Sequence, residues 1–140
     1  MSKFVTKIQS FSDVITNSSS SVFVMNQVDA NYYGDLAHTE GCIDVELITL
    51  DWLHDRIYEF EMVCDMLKVD PSTITSRHPK YGCWEDPDPE TWYAFLESHK
   101  EQIKEVFKDL YWVEIEDYFE GAYEVTEDAY DDAVWSDGRH

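Results

Sequence analysis

One stretch limits the possible folds more than any other. Asp88-Pro89 opens a run in which Trp92, Phe95, Leu96, Ile103, Val106, Phe107 and Leu110 recur at helical spacing. Proline is tolerated at the first helical position, where the missing N–H has no intrahelical partner, and an aspartate before it caps the free amides. The spacing predicts a helix over about 89–109. Its face of large aromatics and aliphatics must be covered by another layer.

The rest of the chain supplies candidates for that layer. Thr49 as N-cap and Asp51 in the first turn predict a second helix over about 50–68, with Leu53, Ile57, Phe60, Cys64 and Leu67 as its buried stripe. Asp70-Pro71 predicts a short helical turn. The segment from Arg77 to Asp88 holds Pro79, Gly82 and Pro87 and reads as a loop. Strands are expected over Lys3–Phe11, about 22–28 after an Asn/Ser turn, 42–48 and 111–119, where apolar and polar residues alternate. Gly121 marks a turn. Thr126 would cap a short last helix over about 127–135, with Tyr130, Ala133 and Val134 inward and residues 136–140 frayed. The expected fold is α+β. A small antiparallel sheet packs on two long amphipathic helices, with a short C-terminal helix and residues 1–140 as a single domain.

Charge narrows the function. Thirty acids against ten Lys and Arg give −20, and residues 109–140 hold eleven acids and one base. Binding the nucleic-acid backbone requires Lys and Arg to displace counterions, so direct nucleic-acid binding is not expected. Docking on an anionic membrane is disfavoured for the same reason. No apolar run approaches the roughly 20 residues of a membrane span, and no secretory pattern opens the chain. Cys42, Cys64 and Cys83 are too few and too scattered for a disulfide framework. A soluble, cytoplasmic protein is expected.

The acids also show a pattern. On a strand, Glu114 and Glu116 share a face about 6.8 Å apart, close to the spacing of neighbouring phosphates. Glu127, Asp128, Asp131 and Asp132 cluster on one side of the expected last helix, and Asp51, Asp55 and Glu59 on one side of the first. Packing like charges together costs stability, and solubility alone needs fewer acids. Two readings stand: an anionic surface that imitates nucleic acid, and a solvated surface without a partner.

Catalytic and metal chemistry find less support. The serines at 18–21 lack a nucleophile-elbow context, and the five glycines are isolated, so there is no phosphate loop. His38 with Cys42 and His78 with Cys83 could supply a tetrahedral zinc set, although the spacing departs from the usual paired cysteines. The plainer reading makes Cys42 and Cys64 small core residues. Neither a cofactor nor an enzymatic activity is expected.

The block Ser10-Phe11-Ser12-Asp13-Val14-Ile15-Thr16-Asn17-Ser18-Ser19-Ser20 resembles a stretch near the start of small phage and prophage proteins. In size, charge and lack of active-site motifs the chain is similar to the DNA-mimicking anti-restriction and anti-CRISPR inhibitors. The resemblance implies a non-enzymatic inhibitor in the cytoplasm of an infected host cell. Its partner would be a basic nucleic-acid-binding defence protein such as a Cas nuclease. The contact residues expected are Glu114, Glu116, Asp117, Glu120, Glu127, Asp128, Asp131 and Asp132, with Asp51, Asp55 and Glu59 as a second patch. Tyr118 and Trp135 are candidate anchors; for Trp135 a core plug on the sheet is the alternative. The runner-up function is an acidic interaction or structural component without mimicry.

Overall fold

The apolar run Val22-Phe23-Val24-Met25 is the local signal of a strand covered on both faces, since alternation is lost when both sides are buried. A computed structural model, describing residues 20–40, 42–117 and 119–137, shows how this arises. Strand β1 (Ser20–Asn26) runs into α1 (Gln27–Glu40) and β2 (Ile43–Leu47). Then come α2 (Leu50–His54), a 3-10 turn at Ile57–Glu59, α3 (Phe60–Leu67), a second turn at Pro71–Thr73, α4 (Pro89–Ser98) and α5 (Lys100–Val106). Strand β3 (Leu110–Glu116), α6 (Ala122–Asp132) and β4 (Trp135–Ser136) finish the order.

The strands form one antiparallel sheet in the order β2-β3-β1-β4. Register runs from Ser20 opposite Glu116 to Asn26 opposite Leu110 along the central pair. Successive side chains leave opposite faces. Phe23, Met25, Val113, Ile115 and Ile43 meet Ala30 and Tyr33 of α1 and Ala129 of α6 in one core. Val24 and Trp112 meet Leu53, Phe60, Val63, Leu67, Trp92, Phe95, Leu96, Ile103 and Phe107 in the other. The sheet is thus the middle of three layers, and α+β is the observed class.

The caps follow expectation. Thr49 Oγ1 accepts from Trp52 N, Asp70 from Ser72 N and Asp88 from Thr91 N. Several elements differ from expectation. The two long helices are each broken. The first leaves helical geometry at Asp55 and Arg56, where the Arg56 guanidinium stacks over Trp52 and reaches Glu46. The second breaks at His99, whose ring lies within 3.0 Å of the Phe95 carbonyl. Helix α1 was not anticipated: its inward positions are few, Ala30 and Tyr33 buried with Leu36 and Ala37 half-buried, and Asn26, whose Oδ1 accepts from Asp29 N, marks its start. The last helix begins at Ala122, after left-handed Gly121, so Thr126 lies inside it. Its inward face carries Ala122, Ala129 and half-buried Val125 and Tyr130, while Val134 is exposed. The strand expected over Lys3–Phe11 lies outside the described residues.

Helix α3 closes through Lys68 in the left-handed region, at φ 60°, with its N–H directed at Asp65 and Cys64 carbonyls. That conformation costs a side-chain-bearing residue about 1–2 kcal/mol and costs glycine little. Lys68→Gly should therefore leave the fold intact and raise stability by about 0.5–1 kcal/mol, a Tm increase of a few degrees by calorimetry. A lowered Tm would show that the Lys68 stem, not the backbone, decides this position.

Candidate interaction surface

Helices α1 and α6 share one face of the sheet. Tyr33, fully buried on α1, donates its hydroxyl to Asp132 Oδ2 of α6 at 2.8 Å and bridges the two. Burial, that bond and the charges of Asp132 and Asp128 all hold the Tyr33 hydroxyl protonated. Phe23 meets Tyr130 edge-on at 4.9 Å beneath α6.

The charge is sorted by layer. Together α1 and α6 carry eight acids and no Lys or Arg. Every Lys and Arg among the described residues falls between positions 56 and 108, in the segment covering the other sheet face. The ion pairs Arg56–Glu46, Lys100–Glu97 and His54–Asp55 lie on that side too. Outward on α1 stand Asp35, Tyr32 and Val28; outward on α6 stand Glu124, Asp128, Asp131 and Tyr123. Val28 is 80% exposed and Tyr123 72%. Among the described residues these two helices thus present exposed apolar side chains beside acids and carry no Lys or Arg.

The expected contact residues divide between the two sides. Asp128 and Asp131 project from α6, Glu127 is half-buried, and Asp132 is an internal acceptor. Asp117 and Glu120 are exposed in the segment between β3 and α6. Ile115 points into the α1/α6 core, so Glu114 and Glu116 leave the opposite face of the strand and do not join the α6 acids. Glu114 is also engaged, accepting from Ser20 Oγ at 3.0 Å and Trp112 Nε1 at 3.4 Å. Asp51, Asp55 and Glu59 belong to that second side, and the break after His54 ends their common helical face. Trp135 sits in β4 opposite Val24, packs on the larger core and donates to Asp65 Oδ2 at 3.1 Å, so the core-plug alternative describes its place. Tyr118 lies outside the described residues. Tyr32, Tyr123, Val28, Asp35 and Glu124 were missed. For the first, third and fourth, the i, i+4, i+7 spacing of 28, 32 and 35 was the available signal.

The zinc set is not assembled. Exposed His38 lies in the last turn of α1, and half-buried Cys42 precedes β2. In the loop, His78 Nδ1 accepts the backbone N–H groups of Lys80 and Tyr81, and its ring stacks on Tyr81 at 4.7 Å. Among the described residues no three His, Cys, Asp or Glu side chains group as a metal site. Burial pushes the Cys64 thiol up to about 11, as for a core cysteine. No helix among the described residues is long and apolar enough to cross a membrane. The chain matches no family model, no curated protein and no solved structure.

One acid is set apart electrostatically. Burial of Glu59, then repulsion from Glu114, outweigh the attraction of Arg56 and raise its pKa to about 7; Asp137 and Asp86 add to the rise. The folded chain thus holds this proton more tightly than the unfolded chain. Stability from this group is full below the ordinary glutamate range and is lost as pH rises through about 7. Between pH 7 and 5 stability should rise on acidification, by at most about 2–3 kcal/mol. Asp70 and Asp88, held below the usual range by the backbone N–H groups of Ser72 and Thr91, act oppositely at lower pH. Glu59→Gln should flatten the rise in urea denaturation at pH 5 and 8. Parallel pH profiles for parent and variant would remove Glu59 as its source.

Proposed function

We propose that this chain is a non-enzymatic binding protein whose α1/α6 face occupies the basic, nucleic-acid-binding groove of a partner protein. The observation that carries this reading is the sorting of charge: eight acids and no Lys or Arg on two adjacent helices, with every described Lys and Arg in the segment that covers the other face of the sheet. An acidic face of this kind steers encounter with a basic groove and fixes register, while desolvated aromatics supply anchoring affinity. Tyr32 and Tyr123 take the anchor role here. A host defence nuclease, the kind of target the resemblance implied, is one protein with such a groove. The face is helical, so it offers carboxylates along two rods and not the two-residue strand spacing expected from Glu114 and Glu116.

The exposed Tyr32, Tyr123 and Val28 also favour a second reading, an interface dominated by apolar contact with incidental acidity. Salt separates them, because exposed charge pairs are screened beyond about 8–10 Å at moderate ionic strength. The test replaces Glu124, Asp128 and Asp131 with Gln, Asn and Asn and leaves Asp132 on Tyr33. A partner recovered from host lysate should be released by added duplex DNA. At about 0.2–1 kcal/mol per exposed pair, the triple variant should bind it roughly 3- to 150-fold more weakly at low salt, with the gap closing at high salt. Unchanged affinity, or a partner that DNA does not displace, would reject mimicry by this face.

A further inference from the structure

The sheet has two edges, and they differ. On one side β4 covers β1 with two residues and flanking bonds from Val134 N and Asp137 N to β1 carbonyls. On the other side β2 is the outermost strand among the described residues. Its register fixes which backbone groups face outward. Glu116 N donates to the Cys42 carbonyl and Ile48 N to the Leu110 carbonyl, so residues 42, 44, 46 and 48 turn their N–H and C=O groups toward β3. Ile43, Val45 and Leu47 turn theirs away from the sheet. No described residue bonds to those outward groups. A paired strand would find them in register.

The side chains along this edge define what fits. Val45 and Leu47 lie toward the α1 layer, Leu47 45% exposed; Asp44 and Glu46 lie toward the other. Asp44 is exposed, and Glu46 holds Arg56 and Trp52 Nε1 at 2.8–3.4 Å. A second copy of β2 would set acids against acids across the new pair, which is unfavourable. A strand alternating cationic and apolar residues would meet Asp44 with a cation and cover Val45 and Leu47 with apolar side chains. We infer that the outer edge of β2 accepts an extended, alternating basic and apolar segment of a partner protein by strand addition. Backbone bonds to Ile43, Val45 and Leu47 give affinity, and Asp44 selects charge. This surface is separate from the α1/α6 face and stands or falls independently of it.

The test uses the full chain and a blocked hexapeptide alternating Lys and Val, followed by NMR. Binding should slow amide exchange at Val45 and Leu47 and shift resonances of β2. N-methylating the peptide amides that face the protein should weaken binding about three- to tenfold for each ladder bond lost. Asp44→Lys should weaken the Lys peptide and admit its Glu counterpart. Val45→Pro removes only an outward N–H, so it should spare the β2–β3 ladder and impair binding. Equal binding by the N-methylated peptide, or shifts confined to α6, would overturn the inference. So would β2 amides already protected in the free chain, whether at all dilutions, through residues 1–19, or only at high concentration, through a second copy.

Discussion

The antiparallel pairing of β1 with β3 is the constraint on which the other parts depend. Seven residue pairs hold two strands whose side chains feed opposite cores. A shift of one residue would send Phe23, Met25, Val113 and Ile115 to the wrong layer and Val24 and Trp112 to the other. Both helical layers take their places from that register. So does the sorting of charge, since a helix docked on one face brings its acids to one side of the molecule.

The excess of carboxylates is handled by more than repulsion. Lys and Arg are scarce, and other donors meet many of the acids, some half-buried and some at the surface. Indole N–H groups of Trp52, Trp112 and Trp135 reach Glu46, Glu114 and Asp65. The Tyr33 hydroxyl reaches Asp132, and backbone amides meet Asp70 and Asp88. Each bond to an ionised acceptor is stronger than a neutral one. Aromatic content and acidity are therefore linked: the ring buries apolar area and its polar tip meets a carboxylate at the boundary.

Local signals were legible because they are made by neighbours in sequence. Thr49, Asp70-Pro71 and Asp88-Pro89 were readable as caps, Gly121 as a turn, and β2 and β3 as alternating strands. What the sequence concealed depends on distant contacts. Arg56 leaves the helix for Glu46, ten residues earlier, and no periodicity records that. Helix α1 buries Ala30 and Tyr33 and half-buries Leu36 and Ala37, and so few apolar positions give a weak stripe. The alternation in β3 suggested a solvated face for Glu114, yet the layer that half-covers it comes from residues 50–107. The candidate surface was legible in its α6 acids and hidden in its α1 half, because α1 itself was hidden.

The five tryptophans share one side. Trp92 and Trp112 lie within the larger core, and Trp52, Trp84 and Trp135 pack against it; the α1/α6 core contains none. Indole emission therefore reports on one layer of the molecule and is silent on the other, whose rings are phenylalanine and tyrosine. A fluorescence melt and a backbone-sensitive melt on the same sample are two separate thermometers. Their coincidence or separation measures whether the sheet couples its two sides into a single cooperative unit.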